Sequence, residues 1–247
     1  MGGGSAMYNP APPITDHLPI SLRAYVPPIS ATNDFSRSGP KGNPPQGSSE
    51  WALIFDCETT IDASQKLRFG TYQVRLEGQL WQAGIFYDPA NVSPPELALL
   101  EQFAASKDMK LLTRDEFVDQ IFFGIGYDYR AAIVGFNLPF DLSRIAIRQG
   151  SAKGKMRGGF SFALSHDKRP PHVQVKHHSS KAAFIQFAAP FKNRTNRSGQ
   201  KRNQKERVQR GHFIDVKTLA FALFAKPFSL ASLCNMLDVA NAKLDFD

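Results

Sequence analysis

The side chains best suited to chemistry are the two acids that close the stretch Trp51-Ala-Leu-Ile-Phe-Asp56-Cys-Glu58-Thr59-Thr60. An apolar, aromatic-led run of this kind reads as a buried strand, and a buried strand has no packing reason to finish in two carboxylates. Residues i and i+2 of a strand point to one face, so Asp56 and Glu58 present their carboxylates side by side. Such a pair suits a hard divalent cation. The plainer alternative is a strand end whose acids are only solvated. A third acid follows a second apolar run, Ala131-Ala-Ile-Val-Gly-Phe136, where Asn137-Leu-Pro139-Phe-Asp141 turns strand into helix. Pro139 is expected at the first helical position, where its missing N–H costs nothing. Asp141 then falls in the first turn, where the helix dipole favours a carboxylate, and stability alone could account for it.

The elements that must position these acids follow from periodicity. Residues 71–77 alternate, Gly78-Gln79 can turn, and residues 80–87 continue as a strand, which predicts an antiparallel meander of three sequential strands. Pro94-Pro95 opens a helical pattern through Leu97, Leu100 and Phe103, and Thr113 with Glu116 forms a capping box for a second helix. After the helix expected through Leu142, Ile145 and Ala146, strands are predicted at 160–164, 172–176 and 183–187, with residues 177–181 as a hairpin connection. Residues 192–210 are polar, basic and aperiodic, and read as a mobile loop. A strand over 212–216 runs into a helix through Leu219, Leu223 and Phe224; Pro227 stops it, and Ser229 caps another with Leu230, Leu233 and Leu237 as its stripe. The expected fold class is α/β, a mixed β-sheet flanked by helices.

With 247 residues, 42% of them apolar, the chain can bury a substantial core. Met1-Gly-Gly-Gly-Ser-Ala6, ahead of a second methionine, reads as an expression scar, and residues 1–50 as an extended or disordered lead-in before a domain over 51–247. No run of eighteen apolar residues and no signal-peptide pattern occurs, so a soluble, cytoplasmic protein without a membrane partner is expected. Two cysteines, Cys57 and Cys234, make no disulfide framework or cysteine zinc site. The net charge of +8 is unevenly spread: residues 151–212 hold 15 Lys and Arg against Asp167 and Glu206, leaving the remainder net acidic. One basic insertion on an acidic body is the footprint of a polyanion binder, the alternative being a solvated loop without a partner.

Taken together, Phe55-Asp56-Cys57-Glu58-Thr59-Thr60, then Val134-Gly-Phe-Asn137-Leu-Pro-Phe-Asp141, then Phe213-Ile-Asp-Val216 ahead of Ser229-Leu-Ala-Ser-Leu233, resemble the DEDD family of 3'-5' exonucleases, which includes proofreading domains of DNA polymerases. The resemblance implies a ribonuclease H-like fold with a β-hairpin and basic loop inserted after the second motif. It implies catalytic and metal-binding roles for Asp56, Glu58 and Asp141, with two ions of Mg2+ or Mn2+, since carboxylate and water ligands suit these better than zinc. It places Thr59 and Asn137 near a terminal nucleotide; the charge of the basic loop, rather than the resemblance, puts Lys192, Arg194, Arg197, Lys201 and Arg202 on phosphates. The substrate class it implies is single-stranded nucleic acid, DNA in the first place. The family's third motif, Tyr-x-x-x-Asp or His-x-x-x-x-Asp, occurs nowhere in the sequence. The domain is accordingly expected to be C-terminally incomplete, completed by further sequence or a partner protein, and weak or inactive alone. The competing expectation is a non-catalytic nucleic-acid-binding or assembly module that keeps the fold.

Overall fold

Strand β1 (Trp51–Thr59) alternates core-facing Leu53, Phe55 and Cys57 with outward Asp56 and Glu58, the period of two that its sequence dictates. It pairs antiparallel with β2 (Leu67–Leu76), which pairs antiparallel with β3 (Gln79–Tyr87), so the expected meander is present. The β2–β3 turn is centred on Glu77 and Gly78, with φ of 49° and 79°, one residue earlier than the sequence reading. Two successive left-handed residues match the twist of the flanking strands, and glycine takes one of them without strain. The computed structural model describes residues 49–188 and 212–239, all within the second of the two units of the chain, Ser49–Asp247. The expected lead-in over 1–50, apart from Ser49 and Glu50, and the basic loop over 192–210 lie outside the described residues.

Helix α1 (Pro94–Ser106) opens with the capping box of Ser93 and Glu96 and returns the chain to β4 (Lys110–Thr113), parallel to β3. Thr113 and Glu116 form the expected second capping box on α2 (Arg114–Glu116). That helix continues as a π-helix, Phe117–Asp128, whose wide turns are marked by Tyr129 N–H donating to Gly124 five residues back. The chain then forms β5 (Ala132–Gly135), parallel to β1, and α3 (Leu138–Arg144). Pro139 takes the second helical position rather than the first, and α3 ends short of Ile145 and Ala146. Strand β10 (His212–Asp215) adds parallel to β5 and leads into α4 (Val216–Phe224) and α5 (Leu230–Met236). The sheet is thus mixed and six-stranded, in the order β10-β5-β1-β2-β3-β4, with helices flanking it: an α/β fold. No helix among the described residues is long and apolar enough to cross a membrane.

The segment between α3 and β10 holds more than the expected hairpin. It is a four-stranded antiparallel sheet, β6 (Arg148–Ser151), β7 (Phe160–Ala163), β8 (Val173–Ser179) and β9 (Ala182–Phe187). Strand β8 runs on through His177 to Ser179, so only Ser180 and Lys181 turn. The π-helix lies between the two sheets. On one side Phe117 stacks on Phe86 at 4.0 Å and meets Phe55 at 5.7 Å; on the other, Phe122 and Phe123 meet Phe187 of β9 at 6.1 and 6.3 Å. A helix with most of its circumference apolar belongs in such a place, with Asp119 and Gln120 left to solvent, and each of these rings contributes roughly 1.5–3 kcal/mol by leaving water.

Arg114, only 8% exposed, ties the second sheet to α3. Its Nε donates to the carbonyl of Ile145 at 2.9 Å, its Nη2 donates to the carbonyls of Ile145 and Leu164, and its Nη1 pairs with Asp115. Replacing Arg114 by Met keeps the apolar stem and strands two buried carbonyls, each worth about 1–3 kcal/mol when unsatisfied. Urea denaturation of Arg114→Met should show a loss of about 2–5 kcal/mol, which Arg114→Lys recovers only in part because an ammonium lacks the planar fork. An unchanged midpoint would show that the carbonyls find other donors.

Candidate active site

Three parallel strands bring the acids to one edge. Ile54 of β1 and Ile214 of β10 both register with Val134 of β5, so the carboxyl ends of β1, β5 and β10 lie together. Strand β1 is also where the chain departs in opposite directions, to β2 on one side and β5 on the other. In open α/β sheets, ligands bind outside the carboxyl ends of the strands at such a switch point. Gly135 permits the close fit: a Cβ there would meet Leu138 Cδ2 at 2.7 Å and the Phe55 carbonyl at 2.9 Å.

Asp56 and Glu58 are exposed on one face of β1, and Thr59 is the half-buried last residue of the strand. Between the acids, Cys57 points inward; burial above all, then the negative charge of Asp141, pushes its thiol well above the usual range. The Cys57 thiol donates to the Asp141 carbonyl at 3.8 Å, which fastens β1 to α3. Arg144 fastens the other end of α3: it donates to the carbonyl of Gln65 at 2.7 Å in the loop after β1 and stacks 4.7 Å over Phe140.

Asn137 turns the chain from β5 into α3 with φ 72° and ψ 42°, a left-handed conformation that asparagine tolerates better than most residues. Its side chain does not cap the helix it precedes. Asp215 does so from β10: Oδ1 accepts the Leu138 N–H at 2.9 Å, and Oδ2 accepts the Thr218 N–H at 3.0 Å and the Thr218 hydroxyl. Asp215 is therefore saturated with donors. The sequence gives it no site role, and its position is that of a fastener beneath the site.

Asp141 is the unusual group. It is 2% exposed, and its Oδ2 has no hydrogen-bond partner. Burial first, then the negative charge of Asp56 and, more weakly, Asp215, raise its pKa to about 8, against a lowering by the Cys57 backbone. The N–H of Asp141 itself, in the first turn of α3, also lowers the value, but burial and Asp56 outweigh it. Among the described residues no group of three or more His, Cys, Asp and Glu side chains is gathered closely enough to hold a metal ion. What the structure does supply is a buried carboxylate oxygen without a partner beside a second acid, a donor pair that fits a hard cation, with Glu58 on the same strand face as Asp56. Lys192, Arg194, Arg197, Lys201 and Arg202 lie outside the described residues.

The raised pKa has a defined sign in stability. Between the ordinary aspartate value and about 8 the folded state keeps a proton that the unfolded chain has lost, so stability falls as pH rises through that window and is level above it. One pKa unit corresponds to about 1.4 kcal/mol, which puts the penalty at several kcal/mol in order of magnitude. Asp141→Asn should therefore melt higher than the wild type at pH 8, with a flatter dependence between pH 5 and 8. Equal slopes in thermal melts of the two proteins would show that Asp141 is ionised normally. No family model, curated protein or solved structure matches this chain.

Proposed function

We propose that this chain is a metal-dependent 3'-5' exonuclease-like domain of the DEDD type, built on a ribonuclease H-like sheet and acting on single-stranded 3' ends. The observation that carries the reading is Asp141, a buried acid with an unpartnered oxygen beside Asp56 at the carboxyl ends of β1, β5 and β10. The connectivity supports it as well: an antiparallel meander β1-β2-β3 is followed by two strands added parallel on the other side of β1.

On this reading Asp56, Glu58 and Asp141 would hold Mg2+ or Mn2+, which when bound activates water and stabilises charge on the scissile phosphate. Asp141 holds a proton near neutral pH in the isolated site and releases it on ligation, because an opposite charge reverses the effect of burial and of Asp56. Asp215 fixes the start of α3, and with it the distance between Asp141 and β1. Asn137 and Thr59 flank the terminal nucleotide, and the basic loop holds phosphates without reading bases. A cytoplasmic, reducing setting accords with the free thiols of Cys57 and Cys234. With neither form of the third motif in the sequence, the base that orients water is missing, a loss of about 10^2–10^4 in rate. Weak trimming by this chain alone is the expectation, and a partner bearing that motif would raise it.

One observation favours a second reading, a binding or assembly module without catalysis: no three-ligand group is gathered among the described residues. Two measurements decide. Saturating Mn2+ should raise the melting temperature of the wild type and leave Asp56→Ala unmoved; an equal response removes the site. A 3'-extended labelled single strand should be shortened slowly in Mn2+, not in EDTA and not by Asp56→Ala. Binding without any shortening would leave the module.

A further inference from the structure

A groove of about 300 Å³ opens between α3 and the second sheet, alongside the acids rather than among them. Its lining takes Asn137 and Phe140 from the start of α3, and Gln149, Phe160, Phe162 and His177 from three strands of the second sheet. The volume is at the lower end of sites that hold small ligands. Phe160 and Phe162 lie nearly parallel, with rings 11° apart in tilt and 6.1 Å between centroids. Phe162 is buried, whereas Phe160 is 48% exposed, so β7 presents an aromatic face to the groove with a packed ring behind it. The amides of Asn137 and Gln149 can each donate and accept, the pattern that base edges require.

Charge selects the occupant. Residues 142–188, which include the whole second sheet, carry nine Lys and Arg against the single acid Asp167. None of these cations lines the groove itself, so the charge of the segment favours an anionic chain over a basic or neutral surface as the partner, and the lining offers the flat aromatic face that a nucleotide's base would use. Asn137 belongs both to the groove and to the turn that Asp215 fastens beside Asp141. Asn137 therefore joins the groove to the turn that carries the acid-bearing helix.

We infer that the groove between α3 and the second sheet takes an unpaired nucleobase of a single-stranded nucleic acid, stacked on Phe160, with Asn137 and Gln149 at its edge. The inference rests on the reading of the acids as a site for nucleic-acid ends, and it assigns the inserted sheet a part in binding. Stacking on aromatics is tolerant of sequence, so a preference for single strands over duplex is the expected specificity.

The test is made in EDTA, where no cleavage occurs, with oligomers carrying 2-aminopurine at each of the last three positions in turn. Bound to the wild type, one position should lose emission by stacking. Phe160→Ala should restore the emission and weaken binding about 5- to 150-fold, the equivalent of the roughly 1–3 kcal/mol that stacking supplies per base. Phe160→Tyr should behave as wild type. Phe184→Ala, which removes a ring 43% exposed on β9 outside the groove, should bind unchanged. An oligomer abasic at the quenched position should bind the wild type no better than the intact one binds Phe160→Ala. Deoxy and ribo oligomers of one sequence separate the two sources of the base, and Phe160-dependent quenching with either supports the groove. Absence of quenching at all three positions, wild-type affinity in Phe160→Ala, or an equal loss in Phe184→Ala would overturn the inference. Because no metal is involved, this result and the Mn2+ response of Asp56 stand or fall separately.

Discussion

The carboxylate of Asp215 joins three elements at one point. By accepting the Leu138 N–H and two donors of Thr218, it caps α4 in its own chain segment and α3 across the sheet. Side-chain oxygens at helix starts typically contribute about 1 kcal/mol, and one group serving two starts also fixes their separation. That separation determines where Asp141 sits. With α3 docked, its first turn lies against β1, the Cys57 thiol reaches the Asp141 carbonyl, and the Asp141 side chain is left almost fully buried. The burial of one carboxylate follows from the saturation of the other.

The remainder of the molecule makes that arrangement rigid. The two sheets do not each enclose a core of their own: Phe162, Leu164, Val173, Val175 and Phe187 of the inserted segment join the same apolar cluster as Leu53, Phe55 and Phe86 of the main sheet. The π-helix supplies the shared surface, and Arg114 satisfies the carbonyls exposed where α3 gives way to the insertion. The inserted basic sheet is thereby packed onto the same core as the acid-bearing strand rather than hung from a hairpin. Thermodynamically, energy gained in the core offsets the cost of keeping Asp141 out of water, as sites with perturbed acids require.

How much of this was legible in the sequence depends on how local each signal is. Alternation in β1, the β2–β3 turn, the box of Thr113, the strand-to-helix turn at Asn137 and the cap at Ser229 all rest on neighbours within four residues, and they were readable to within a residue or two. Strand β6 was not, because Arg148-Gln-Gly-Ser151 is an exposed edge strand with no apolar face to alternate. The wide turns of Phe117–Asp128 were hidden for the opposite reason: apart from the exposed Asp119, Gln120 and Asp128 the segment is nearly continuous in apolar residues and glycine, which leaves no clear helical period. The acids Asp56, Glu58 and Asp141 stood out by type and spacing. That Asp141 points inward, and that Asp215, 74 residues later in the chain, is what holds it there, are long-range facts that no window of sequence contains.

The central claim is that Asp141 is a buried acid kept for a cation. Carbonyl-13C NMR of aspartate-labelled protein, with Asp141→Asn to assign the resonance, reads it directly. The Asp141 carboxyl should titrate near pH 8 in metal-free buffer, and its midpoint should fall below neutrality in saturating Mg2+. A midpoint in the ordinary range of about 3.9, unmoved by Mg2+, would contradict the claim.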